Sequence, residues 1–414
     1  MRGEIGNLSD NVVGRDKEKT DLIGMLLDSS YAETVCVIPI VGVGGLGKST
    51  LARHVFNDKQ VKANFDLHLW VSLPEDVTLL DVLAKIVAAT GESDDGSLEQ
   101  LKIRLSGVAN GKKYILVLDN VWKEDVIQWR ELEQVLTLGA APGSRIMLTT
   151  RLPSVAEMMG TVKPFELPPL ECDKSWALLE SLIFGNKGCQ DSNLKEIGMK
   201  ILPMCYNVPL AIRALAGVLA NDIRASCWLR FKNDTLSNLA SHDKSYQIMP
   251  ILKLSYDYLS PTMLKSCFSY CSLFPKGYEF DKYKLVILWI AQGFIEPLHQ
   301  GETLENEGAE YLEKLLNKGL LQHVPSDESH TKCKLHDLMH DLCCSVAAEQ
   351  CQMLNSREND NVKNNIYHIS IGYEVNLYTP LKIPSSNLQK YWEPADISFG
   401  NITEVRESHE CFTL

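Results

Sequence analysis

The octapeptide Gly42-Val43-Gly44-Gly45-Leu46-Gly47-Lys48-Ser49 satisfies the spacing G-x-x-x-x-G-K-[ST]. Glycines at these positions let successive backbone N–H groups turn inward around phosphate oxygens. A helix opening at Lys48 adds its positive end, and the Lys48 ammonium neutralises the outer phosphates. Ser49, with Thr50 beside it, opens that helix, and its hydroxyl is placed to ligate Mg²⁺. A second carboxylate for the ion is expected at the end of another strand, and Asp119 closes the apolar run Tyr114–Leu118. Arg151 follows the run Arg145–Thr150 on the same sheet edge, where ligands of open α/β sheets collect. Gly42, Gly44 and Gly47 also spell G-x-G-x-x-G, a dinucleotide-binding spacing. That fold wants an acid ending the second strand, whereas Asp66 precedes it.

The elements that must hold these residues are legible as alternating patterns. Val35–Val41, Leu67–Leu73, Tyr114–Leu118 and Arg145–Thr150 are near-continuous apolar runs, as expected of parallel strands covered on both faces, with a fifth near Phe165–Leu167. Between them Thr50–Phe56, Leu79–Ala89, Leu98–Ala109 and Trp129–Leu138 carry apolar residues at helical spacing. The expected fold is an α/β P-loop NTPase domain over 1–165, a parallel sheet with helices on both faces. Helical patterns then follow one another: Ser175–Phe184, Leu194–Met204 and Pro209–Leu219 in a small helical domain over 166–240. Asn233–Lys244 turns polar and marks a boundary. Ile248–Tyr258, Met263–Ser272, Tyr283–Gln292, Thr303–Lys318 and Leu335–Ala348, with a hairpin near Leu321–Leu335, fit a winged helix over 241–350. Residues 351–414 are polar and read as a linker or the start of a further domain.

Composition narrows the class. The 414 residues carry 41 Lys and Arg against 53 Asp and Glu, a formal charge of −12, which disfavours a nucleic-acid partner. The longest uncharged stretch, Thr34–Gly47, has 14 residues, short of the roughly 20 that span a bilayer. No apolar segment at the N-terminus marks secretion, and the 12 cysteines show no C-x-x-C spacing, so reduced thiols in cytoplasm or nucleus are expected. Cys333, His336, His340 and Cys343 tempt a zinc reading. Strung along one helix of about 15 Å, they cannot surround a single ion.

These blocks together resemble the NB-ARC module of plant intracellular immune receptors, the nucleotide-binding leucine-rich-repeat class, from about Val12 to Ala348. Val12-Val13-Gly14-Arg15 resembles its adenine-contacting N-terminal motif and Leu116–Trp122 (LVLDNVW) its second kinase motif. Gly143–Arg151 (GSRIMLTTR) resembles its sensor-arginine strand, and Cys205–Ala211 (CYNVPLA) its Gly-Leu-Pro-Leu block. Cys267–Pro275 resembles a winged-helix signature and Leu335–Leu342 (LHDLMHDL) the Met-His-Asp region. Trp122 is similar to the residue that marks the coiled-coil subclass.

The resemblance implies a switch: a closed state holding ADP and an open state holding ATP that assembles into a homo-oligomer. It implies that Lys48, Ser49 and Asp119 hold phosphates and Mg²⁺, Val13, Pro209 and Leu210 line the adenine, Arg151 senses the γ-phosphate and His336 touches the β-phosphate. It also implies, as partners, the receptor's own N-terminal coiled coil and C-terminal leucine-rich repeats, both absent from this chain. Three departures stand out. Asn120 replaces an Asp expected to orient attacking water, which points to slow or absent hydrolysis. Leu335 replaces Met, and Asn207-Val208 replace Gly-Leu. Two alternatives stay open, a P-loop-regulated DNA-binding transcription regulator and a turnover ATPase. The final helix carries Asp337 and Asp341 but no Lys or Arg, against the first, and Asn120 weighs against the second.

Overall fold

The computed structural model describes residues 12–31, 33–75, 77–122, 124–239, 248–296, 303–324, 329–348, 350–354, 368–371 and 411–413. The chain divides into two compact units. The first is Met1–Arg213 with Asp222–Ser237 and the second Ala214–Asn221 with Asn238–Leu414.

In the first unit, β1 (Val35–Val41), β2 (Leu67–Ser72), β3 (Tyr114–Val121), β4 (Ser144–Thr150) and β5 (Phe165–Glu166) form a parallel sheet in the order β2-β3-β4-β1-β5. Its helices are α1 (Asp16–Leu27), α2 (Lys48–Phe56), α3 (Lys59–Asn64), α4 (Leu79–Ala89), α5 (Leu98–Ala109), α6 (Val126–Thr137) and α7 (Pro153–Met159). Both faces of the sheet are covered. Val35 and Val37 of β1 join Leu116, Ile146 and Leu148 in a core with Leu83, Leu101 and Trp129, while Cys36, Ile38 and Ile40 are as deeply buried on the other face. At about 25 cal/mol per Å² of apolar surface, double coverage rewards unbroken Val/Ile/Leu runs in the strands. The starts of α4 and α5 are set by reciprocal caps: Thr78 with Asp81, and Ser97 with Gln100. Helices α1, α3 and α7 fall where the sequence reading left loops, and α6 starts three residues earlier than expected, at the Asp125 cap.

The helical portion follows with α8 (Cys172–Phe184), α9 (Ser192–Ile201), α10 (Pro209–Leu219) and α11 (Ala225–Leu239). Small size at Gly198 lets α9 close on two indoles: a Cβ there would stand 2.4 Å from Trp176 Cζ3 and 3.1 Å from Trp228 Cζ3. The polar run beginning at Asn233 remains helical to Leu239, because Trp228 and Phe231 on α11 are buried. The rest of that run, 240–244, lies outside the described residues.

The second unit contains α12 (Met249–Asp257), α13 (Thr262–Tyr270), α14 (Lys282–Ala291), α15 (Leu304–Asn317) and α16 (Asp337–Ala347). β6 (Glu279–Asp281), β7 (Gln322–His323) and β8 (Lys332–Lys334) form an antiparallel sheet in the order β6-β8-β7, the expected hairpin with one further strand. β9 (Cys351–Leu354), β10 (His368–Ile371) and β11 (Cys411–Thr413) make a second sheet in the order β11-β10-β9. Phe268, Trp289, Tyr311, Leu315 and Cys343 are among its most buried side chains. Cys333, His336, His340 and Cys343 do not share one helix as expected from the sequence, since Cys333 lies in β8 and His336 precedes α16. His340 Nε2–H donates to Phe274 O (2.8 Å) and Cys343 Sγ to Phe268 O (2.9 Å). No helix among the described residues is long and apolar enough to cross a membrane.

Candidate phosphate-binding site

β1, buried along its whole length, delivers the chain to Gly42, and α2 begins immediately after the loop at Lys48. Gly47 sits at φ +91° and Gly45 at φ +79°, conformations that cost an L-residue about 1–2 kcal/mol. Leu46, 2% exposed, pins the loop to the core, while Val43 at its tip is 60% exposed. Lys48 reaches back across the loop: its Nζ donates to Gly42 O at 2.7 Å and Val43 O at 3.1 Å. Ser49 is half-buried at the start of the helix and Thr50 is exposed. A glycine-walled cradle closed by an ammonium and open at its tip fits an oligophosphate.

Asp119 comes from β3, which β4 separates from β1 in the sheet. The strand does not end there, as expected from the sequence, but bulges between Leu118 and Val121 and continues to Val121. The bulge turns Asp119 and Asn120 out of regular register at the sheet edge. Asp119, 7% exposed, accepts at Oδ1 from the Thr149 hydroxyl at 2.6 Å, and the same Thr149 oxygen accepts the Asn120 N–H at 2.8 Å. Thr149 thus aims the carboxylate. Asn120 occupies φ +68°, a region Asn tolerates well, and its Nδ2 donates to Leu73 O at 3.4 Å. Arg53 of α2 stacks over Trp70, 4.2 Å from the ring centroid. Burial pulls its guanidinium below its ordinary value, with the Asp119 charge opposing. The set around Asp119 can hold a divalent cation beside phosphate oxygens.

The N-terminal segment docks on this loop. Gly14 lies at φ +73°, where a Cβ would stand 2.6 Å from Lys174 Cβ of α8. Arg15 is 4% exposed, donates from NH2 to Leu46 O at 3.1 Å and pairs with Glu18 at 3.0 Å. Val12 and Val13 just before it are half-buried. From the other side, the Leu210 N–H donates to Gly45 O at 3.2 Å, and a Cβ on Gly45 would stand 2.8 Å from Leu210 Cβ. Pro209 is the first residue of α10. Before it, Tyr206 and Asn207 take φ +51° and +54°, so two non-glycine residues sustain the turn. Arg151, beyond β4, stacks over Trp122, 4.7 Å from the ring centroid. His336 belongs to the second unit. It is the N-cap of α16 rather than a residue within that helix, its Nδ1 accepting the Leu338 N–H at 3.2 Å.

Spacing alone gave no signal for Thr149, Trp122 or Arg53 as site residues. Thr149 and Trp122 lie inside the quoted blocks, and their roles emerge only from strand pairing.

Two family profiles match this chain, the NB-ARC domain over residues 15–189 and the disease resistance protein winged helix domain over residues 273–343. Residues 15–189 belong to the NB-ARC family. Similar curated proteins include the disease resistance protein RGA2 of Solanum bulbocastanum. It is 37% identical over 383 residues, a match covering 90% of this chain and 38% of RGA2. The putative disease resistance RPP13-like protein 1 of Arabidopsis thaliana is 33% identical over 344 residues, covering 82% of this chain and 32% of the relative. The chain therefore spans well under half the length of either. Among solved structures, a signal transduction ATPase with numerous domains and a tetratricopeptide repeat sensor, from Pyrococcus horikoshii, aligns at TM-score 0.47. It is 16% identical, and the alignment covers 81% of this chain and 43% of that one. NB-ARC domains are nucleotide-binding modules. The profile takes in Arg15, the whole phosphate loop, Asp119 and Arg151, while His336 falls within the winged-helix match.

Proposed function

We propose that this chain is the adenine-nucleotide-operated switch module of a plant disease-resistance receptor. ADP holds it closed; Mg²⁺-ATP opens it toward homo-oligomer assembly. The observation that carries the reading is the phosphate loop closed by Lys48 beside a buried Asp119 that Thr149 aims. In this reading Lys48 and the loop amides bind the phosphates, and Ser49 and Asp119 hold Mg²⁺. Arg151 meets the γ-phosphate, Val12, Val13, Pro209 and Leu210 flank the base, and His336 links the winged helix to the β-phosphate. A ligand shifts such an equilibrium only through contacts that differ between its two states, and the γ-phosphate is the group that differs.

Asn120 supports slow turnover, because its amide donates to Leu73 O and cannot take a proton from water. That also weighs against a turnover ATPase. α16, acidic at Asp337 and Asp341 and lacking Lys and Arg, weighs against a DNA-binding regulator.

The test is to purify the chain without added nucleotide, denature it, and identify what is released by ion-exchange chromatography. Stoichiometric ADP is expected, and Lys48→Ala should retain none. A Lys48→Ala protein that copurifies with a full complement refutes the site.

A further inference from the structure

The last paired residues of β3 and β4 are Val121 and Thr150, and the Thr150 hydroxyl ties the two ends by donating to Val121 O at 2.8 Å. The Thr150 hydroxyl oxygen in turn accepts the Leu152 N–H at 3.1 Å. Trp122 and Arg151 therefore leave two parallel strands side by side, from backbone that is held on both sides. Their side chains meet, the guanidinium carbon 4.7 Å from the indole centroid. Trp122 is half-buried and lines a mainly apolar cavity of about 60 Å³ with Leu73, Leu118, Val121, Trp129 and Met159.

The geometry points to Trp122 as a positioning residue that holds Arg151 ready for the terminal phosphate, and so sets the preference of the site for triphosphate over diphosphate. The inference rests on the reading of Arg151 as the γ-phosphate contact. A guanidinium offers two different surfaces: its face stacks on an aromatic ring, and its edge carries the N–H donors. The Arg151 guanidinium carbon lies 4.7 Å from the Trp122 centroid, a contact that restrains the side chain before nucleotide arrives. What it removes is the rotamer freedom that Arg151 would otherwise lose on binding. Indole is the strongest such platform among the aromatic side chains. The effect reaches ATP alone, because ADP carries no terminal phosphate for the guanidinium to meet.

The experiment uses the full chain stripped of nucleotide and titrated calorimetrically with ADP and with Mg²⁺-ATPγS. Wild type, Trp122→Leu, Trp122→Phe, Arg151→Ala and the Trp122→Leu/Arg151→Ala double variant are compared. Trp122→Leu should lower the ATPγS-to-ADP affinity ratio by roughly three- to tenfold, with ADP affinity changed less than about twofold. Trp122→Phe, which keeps a ring, should restore much of the ratio. Arg151→Ala should lower the ratio at least as far, and Trp122→Leu should add nothing to it in the double variant. If Arg151→Ala is selective but Trp122→Leu weakens both nucleotides equally, or the two losses add, the ring is packing only and the inference is overturned by itself. If Arg151→Ala leaves the ratio unchanged, the γ-phosphate reading fails and the inference fails with it.

Discussion

Replacing Thr149 by Val tests whether its hydroxyl aims Asp119, because Val keeps the branched shape and deletes only the oxygen. Thr149 is 1% exposed, so no water can take over. The lost bond is a 2.6 Å hydrogen bond to a carboxylate, and bonds to charged groups contribute about 1.5–3 kcal/mol. The same change orphans the Asn120 N–H, which now reaches that oxygen at 2.8 Å, a further cost of roughly 1–3 kcal/mol. The two terms share one atom and are not additive, so a net loss of about 3 kcal/mol is expected. For a unit of this size that lowers Tm by roughly 6–12 °C in a calorimetric scan. Function should fall separately: groups that orient a metal ligand typically account for about 10–100-fold in metal affinity, so the Mg²⁺-dependent gain in ATPγS affinity should shrink by at least about tenfold. Thr149→Ser retains both bonds and should behave as wild type. A Val variant with unchanged Tm and unchanged Mg²⁺ dependence, or a Ser variant as damaged as Val, refutes the reasoning.

Gly45→Ala should destabilise the first unit by about 2–4 kcal/mol and abolish nucleotide retention, since it combines φ +79° with a Cβ placed 2.8 Å from Leu210 Cβ; normal retention on purification would count against the contact. Asn120→Asp supplies a carboxylate at a backbone position that Asp tolerates and loses only the long donor contact to Leu73 O. It should therefore raise phosphate release while costing about 1 kcal/mol; rapid release by wild type would sink the argument. Burial lowers the folded-state pKa of His368, whose ring packs on Tyr270 and Phe294 at 5.7 and 5.9 Å. Above the ordinary value of 6.5 both states are neutral and nothing changes. Below it the unfolded chain takes up protons that the folded chain resists, so Tm should fall as pH drops through that range. His368→Phe should flatten the profile, and a wild-type Tm that is flat between about pH 7.5 and 5.5 would refute this.

What could be read from the sequence was what depends on near neighbours. α4 and α5 were legible because their apolar residues recur at helical spacing, and the capping pairs Thr78 with Asp81 and Ser97 with Gln100 fix their first residues locally. The phosphate loop was legible because all eight of its residues are contiguous and flanked by a strand and a helix. Helices α1, α3 and α7 escaped because they are short or only weakly amphipathic, and Asn233–Leu239 was read as a boundary because its polar composition hid its place in α11, a helix anchored by Trp228 and Phe231.

Two of the site residues that escaped, Thr149 and Trp122, share one cause. Thr149 acts on Asp119 from 30 positions away and Trp122 meets Arg151 from 29, distances closed only by the parallel register of β3 on β4. That register also gives the bulge between Leu118 and Val121 a purpose. The bulge lets Asp119 and Asn120 share Thr149, and pairing resumes at Val121↔Thr150. Trp122 therefore leaves its strand level with Arg151. The proposed magnesium ligand Asp119, the hydroxyl bonded to it and the arginine over Trp122 thus depend on one strand pair, and a one-residue slip of β3 against β4 would break the Asp119 bond and the Arg151 contact together.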